Sequence, residues 1–355
     1  MVSFRRKAQN VDVDQRSAGV PKHDMPDPRG GVSRETPPTV NHSFADTPIA
    51  AAAERASQVL TPGATGTLPR PPAPRIMTVA NQKGGVGKTT SAVNLAAGLA
   101  LHGLGVLVVD LDPQGNASTA LGIDHRKPGI ASVYEMLLDD VPLREAIQRS
   151  PANERLYCVP STLDLAGAEI ELVSVVARES RLRSALDPAT LAELGIDYVL
   201  IDCPPSLGLL TVNAMVAAKE VLIPIQCEYY ALEGVGQLLR NIDMVKAHLN
   251  RDLDVTTILL TMYDGRTKLA DQVAAEVRSH FGDKVLSTII PRSVKVSEAP
   301  GYGMTIIDYD PGSRGAMSYM DAARELAQQV AGQGVNGPSV NGPTVSVPGV
   351  KESSK

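Results

Sequence analysis

Tryptophan is absent from the 355 residues and phenylalanine occurs three times, so aromatic side chains make up only 3% of the chain. Any core must therefore be aliphatic, and a hydrophobic content of 43% is enough to build one. Long apolar runs are missing too. None approaches the ~18 residues that mark a membrane-spanning helix. The opening residues Met1-Val2-Ser3-Phe4-Arg5-Arg6-Lys7 are basic, but no apolar stretch follows them, so no secretory signal is expected. The expected location is cytoplasmic. Cysteine is scarce: Cys158, Cys203 and Cys227 lie far apart, with no CxxC and no Cys/His spacing suited to a metal. They read as isolated reduced thiols in or near the core.

What is present divides the chain into three parts. Residues 1–74 are rich in Pro, Gly, Ala, Ser and Thr without sustained periodicity, and read as a disordered arm with a short helix over 50–60. Up to Arg75 the arm carries ten Lys/Arg against seven Asp/Glu. The two signs are interspersed, which favours a solvated tail over a nucleic-acid arm. The arm ends in Leu68-Pro69-Arg70-Pro71-Pro72-Ala73-Pro74, a stiff extended linker. Residues 331–355 form a second tail, in which Val-Asn-Gly-Pro occurs at 335–338 and again at 340–343. This too reads as turn-forming disorder.

Between the tails, apolar strand runs alternate with helical patterns. Strands are expected over 76–80, 105–110, 156–160, 198–202, 220–225, 256–262 and 284–290. Helices are expected over 89–102, 133–138, 163–172, 178–187, 208–217, 232–250, 267–281 and 317–330. Continuous Val/Ile/Leu strands between helices predict an α/β fold: a doubly wound, mostly parallel sheet covered by helices on both faces. Ligands of such sheets bind at the carboxyl ends of the strands. Each chemical motif falls at such an end.

The first is Asn81-Gln82-Lys83-Gly84-Gly85-Val86-Gly87-Lys88-Thr89-Thr90, between a strand and a helix. Gly84, Gly85 and Gly87 can turn backbone N–H groups toward an anion. Lys88 reaches the β- and γ-phosphates of a nucleotide, and the Thr89 hydroxyl can ligand Mg²⁺. The start of the following helix adds its positive dipole end. Val86 and Thr90 complete this P-loop. One phosphate cradle needs only Lys88, so Lys83 requires another explanation. The second motif places Asp110 and Asp112 two residues apart at a strand end. Asp112 is suited to orienting a water near a γ-phosphate, and Asp110 to supporting the metal's waters or the P-loop. The third is the strand Tyr198-Val199-Leu200-Ile201-Asp202, a Walker B pattern in which Asp202 holds Mg²⁺ through water. Pro204 and Pro205 stiffen the turn behind it, where a γ-phosphate switch would sit.

Residues 83–90 resemble the deviant Walker A motif of the ParA/MinD ATPases, and 110–116 are similar to that family's second motif. Residues 228–234, 261–267 and 290–299 resemble the chromosomal ParA (Soj) branch. The resemblance spans about 75–330, making this segment a ParA-type P-loop ATPase domain, and covers neither tail. It implies ATP and Mg²⁺ as cofactors. Lys83 becomes the signature lysine that reaches across a homodimer to the partner's ATP. Asp112 becomes the residue needed for hydrolysis, and Gly84 the glycine at which a bulky side chain blocks close approach of two subunits. The adenine is placed near Pro291 and Ser293. Relatives often carry Asn at the Ser293 position, which leaves backbone contacts to the base.

Removing the arm's net +3 and the tail's net +1 from the chain's −5 leaves about −9 for the region between. Whole-molecule charge therefore excludes itself as a driver of nucleic-acid binding, and any DNA site must be a local patch. Arg266, Lys268, Arg292 and Lys295 lie in the two regions that the resemblance assigns to a non-specific DNA face. The implied function is an ATP-dependent chromosome-partitioning switch on the nucleoid, with a ParB-type partner that stimulates hydrolysis. The alternative is a MinD-like ATPase positioned on a membrane. That reading needs a basic amphipathic C-terminal helix, whereas 317–330 carries Asp321 and Glu325 and reads as a core-packing helix. An iron–sulfur carrier needs paired cysteines, and a non-hydrolysing scaffold would not need Lys88, Thr89, Asp112 and Asp202 together.

Overall fold

The computed structural model describes residues 67–127, 129–229 and 231–333, together with Ser57. The expected disordered arm as far as 66, the helix over 50–60 and the tail from 334 lie outside these residues, apart from Ser57, which is helical. Within the described part of the arm, Leu68 packs against the core and Arg70 lies 3.7 Å from Asp197.

Eight strands form one sheet: β1 Arg75–Val79, β2 Val106–Asp110, β3 Gln148–Arg149, β4 Leu156–Val159, β5 Tyr198–Asp202, β6 Glu220–Gln226, β7 Asp254–Tyr263 and β8 Val285–Pro291. Their spatial order is β3-β4-β2-β5-β1-β6-β7-β8. Every pairing is parallel except the two-residue β3 against β4 at one edge. The helices that frame the site are α1 Lys88–Leu101, α2 Asn116–Ala120, α3 Ala231–His248, α4 Lys268–Phe281, α5 Val294–Glu298 and α6 Arg314–Gln333.

The strand period of two sorts the core into two layers. Val106 and Val108 of β2 face one way with Tyr198 and Leu200 of β5, into a cluster with Leu95 and Leu99 of α1 and Ala323 and Leu326 of α6. Leu107, Val109, Val199 and Ile201 face the other way, into a second cluster that also includes Leu238 of α3 and Val277 of α4. The largest fully buried side chains are two tyrosines and then aliphatic residues, as a chain without Trp requires. All three cysteines are free and buried.

Register is what assembles the site. Val79 at the end of β1 pairs with Asp202 at the end of β5, and Asp202 pairs with Asp110 at the end of β2. Three neighbouring strands thus stop at one level, and the P-loop and both aspartates emerge side by side.

Candidate active site

The P-loop leaves β1 and enters α1 through Gly85 and Gly87, both left-handed, with φ of +73° and +89°. Only glycine takes these values without strain. Gly84 differs. It has no positive φ, and a Cβ added there would meet nothing within 4 Å. Among the described residues, nothing would touch a side chain placed at 84.

Two long-range hydrogen bonds fix the loop. The Asn81 side chain donates to Pro224 O of β6 at 2.8 Å, and its Oδ1 accepts from the Lys83 N–H at 3.0 Å. Thr261 of β7, fully buried, donates its hydroxyl to Val86 O at 2.8 Å. Val86 is itself buried, while Thr89 and Thr90 are half-buried at the start of α1.

The two lysines differ in surroundings. Lys88 is buried, and its Nζ donates to Lys83 O at 3.4 Å. Burial lowers its pKa, with Asp202, Cys203 and Asp112 opposing the shift. An anion placed in the loop would supply a counter-charge that favours the ammonium form. Lys83 is half-exposed and its Nζ lies 3.6 Å from Glu228 Oε2. Its ammonium is paired with a carboxylate outside the P-loop.

Asp202 is fully buried, and neither carboxylate oxygen has a hydrogen-bond partner. Burial pushes its pKa far above the usual carboxylate range, and the Asp110 charge adds to this. The nearby Thr89 hydroxyl and Lys88 ammonium oppose the shift, though Thr89 makes no well-formed bond to it. A buried carboxylate with both oxygens free, beside a threonine hydroxyl, fits Mg²⁺. Among the described residues no three His, Cys, Asp or Glu side chains cluster as a metal cage. Mg²⁺ takes one or two carboxylates plus phosphates and waters.

Asp110 is engaged elsewhere. Its Oδ2 accepts from the Ser118 N–H at 2.8 Å and the Ser118 hydroxyl at 2.7 Å, and its Oδ1 from the Asp112 N–H at 3.2 Å. Burial raises its pKa to about 6 despite these bonds. Its place is to hold the loop that carries Asp112. Asp112 is half-exposed at the loop's turn, and its Oδ1 accepts from the Gln114 N–H at 3.0 Å.

A cleft of about 630 Å³ opens between the ends of β7 and β8, lined by Tyr263, Asp264, Arg266, Pro291, Arg292, Ser293 and Arg314 among others. The expected adenine residues Pro291 and Ser293 thus share a cleft with two of the expected DNA residues. Those cations are not bare. Arg266 forms two bonds to Asp264, at 2.8 and 2.7 Å, and this pairing lowers the Asp264 pKa to about 2. Arg292 donates to Glu228 at 3.0 Å, and Lys295, in the first turn of α5, donates to Asp310. Lys268 heads α4. Sequence reasoning assigned no role to Asn81, Ser118, Glu228 or Thr261. Glu228 and Thr261 fall in stretches whose resemblance was visible, but their partners are 145 and 175 residues away, beyond any local pattern.

Fold and site together define a P-loop nucleoside triphosphatase of the doubly wound type. The profile of the AAA domain family matches residues 74–255. The sporulation initiation inhibitor protein Soj of Bacillus subtilis is 53% identical over 254 residues, covering 71% of this chain and 98% of its own length. The chromosome partitioning protein ParA of Myxococcus xanthus is 53% identical over 257 residues, covering 72% of this chain and 88% of its own. Among solved structures, cobyrinic acid a,c-diamide synthase from Mycobacterium smegmatis with a bound ATP analog and magnesium aligns with a TM-score of 0.62. It is 39% identical and covers 75% of this chain and 99% of that one. The chain belongs to the Soj/ParA family of chromosome-partitioning ATPases.

Proposed function

We propose that this Mg²⁺-dependent ATP hydrolase is a dimeric partition switch, with residues 75–330 as its working domain. ATP bound in each P-loop bridges two copies, the dimer holds DNA without sequence preference on the nucleoid, and a ParB-type partner triggers hydrolysis and release. The logic is a two-state equilibrium biased by the γ-phosphate. Lys88, Gly85, Gly87 and Thr90 hold the phosphates, with Gly84 and Val86 completing the loop. Thr89 and Asp202 would hold Mg²⁺, which would supply positive charge against the phosphates. Asp112 orients the attacking water, and Asp110 fixes the loop beneath it. Pro291 and Ser293 border the base. Arg266, Lys268, Arg292 and Lys295 form the DNA face, which dimerisation doubles.

The observation that carries this reading is the division of labour between the lysines. Lys88 is buried in its own cradle, while Lys83 is half-exposed on the loop's shoulder and turned outward, beside a Gly84 whose missing Cβ faces open space. Lys83→Ala is the test. Titration should show ATP still bound, while partner-stimulated hydrolysis falls to background. Retained stimulated turnover would remove Lys83 from the mechanism.

A further inference from the structure

Three polar groups converge on Glu228, just past the end of β6. Lys83 Nζ lies 3.6 Å from Oε2. Arg292 donates to Oε1 at 3.0 Å, and the Gln226 side chain donates to the same oxygen at 2.6 Å. The Lys83 backbone is pinned by Asn81, and its Cβ lies 4.0 Å from where a Cβ on Gly234 of α3 would stand. Lys83 thus lies beside the first turn of α3 and its ammonium reaches Glu228. Arg292 meanwhile lines the cleft at the ends of β7 and β8. One carboxylate therefore ties the outward lysine of the P-loop to the wall of the base cleft.

We propose that Glu228 is a positioning residue: it holds Lys83 outside its own phosphate cradle until the triphosphate bound by a second copy of the chain draws the lysine away. This rests on the reading of Lys83 as acting across a dimer. The basis is competition between anions. Lys83, Glu228 and Arg292 are 36%, 45% and 53% exposed, so water and salt screen the latch and it holds weakly. A triphosphate carries several charges and meets the lysine in an interface from which water is excluded, where attraction is stronger. The arrival of that anion shifts the balance toward the open latch. When Lys83 leaves, Glu228 keeps Arg292 and Gln226, so the carboxylate is not stranded.

The test is light scattering across a protein concentration series with ATP and Mg²⁺, on wild type, Glu228→Gln, Lys83→Ala and the double variant. Glu228→Gln should lower the concentration for half-assembly by roughly two- to five-fold, the range set by a partly exposed ion pair. The double variant should assemble no more readily than Lys83→Ala alone, because the gain acts through Lys83. No shift in Glu228→Gln, a shift upward, or a gain that survives in the double variant overturns the proposal. If Lys83→Ala assembles like wild type, the dimer reading of Lys83 falls and the latch with it. If Lys83→Ala loses assembly but Glu228→Gln gives no gain, the latch alone falls. Thermal melting reports folding. Should Glu228→Gln fail to fold, Glu228→Asp, with shorter reach, should shift assembly the same way but less, and its failure to do so overturns the proposal equally.

Discussion

Asp202 sets folding against use. Two buried carboxylate oxygens without partners destabilise the nucleotide-free fold, yet they are what a metal at this site would need. Asp202→Asn removes the buried charge while keeping the shape, and should therefore raise apo stability by about 1–3 kcal/mol. Urea melts without nucleotide check this, and Mg²⁺-dependent hydrolysis by the same variant should be lost. An unchanged or lowered midpoint would mean that Asp202 is satisfied in the free protein. Asp112 should behave differently, since it is half-exposed and is held by its loop rather than buried. Asp112→Ala is expected to keep ATP binding and lose turnover, leaving a long-lived assembled form with ATP. Gel filtration with ATP checks this, and a species that stays monomeric would contradict the assigned role. At this scale the chemistry of Lys88, Thr89 and Asp202 was legible, because the first two stand at fixed offsets in one strand–loop–helix and Asp202 closes an apolar strand run. The partners were not. The Lys83–Glu228 contact spans 145 residues and exists only because β6 lies beside β1.

At the scale of elements, the P-loop is held as much by neighbouring strands as by its own glycines. Asn81 is tied to β6, and Thr261 of β7 is tied to Val86. Thr261→Val keeps the shape but leaves Val86 O without its buried donor. A loss of about 1–3 kcal/mol in stability is expected, together with ATP affinity weakened several-fold because the loop loses its strap. Calorimetric titration and urea melts measure both, and wild-type values for both would show that the bond contributes nothing. Seven of the eight strands were legible as Val/Ile/Leu runs. The eighth, β3, is two residues long and pairs antiparallel, too short for any period to show. Helices of five residues, such as α2 and α5, escaped for the same reason. The Asp110–Ser118 bonds that build the Asp112 loop depend on α2, so that part of the site was hidden with it.

At the scale of the whole molecule, the fold followed from composition and alternation, because an aliphatic chain with strand–helix alternation has few ways to cover a parallel sheet. Surface recognition did not follow. The central region is acidic, and Arg266, Arg292 and Lys295 each pair with a carboxylate of their own chain. A single copy therefore presents little free positive charge at these positions, and the proposed DNA binding rests on doubling the face and on Arg266 and Lys295 exchanging their partners for phosphates. Such binding releases counterions and weakens steeply with salt. DNA binding by the purified full chain, with ATP and Mg²⁺, with ADP and Mg²⁺, and without nucleotide, across a salt series, tests the central claim most directly. The account predicts binding with ATP alone, insensitive to sequence and lost as salt rises. Equal binding in all three nucleotide states, or none with ATP at low salt, would contradict it.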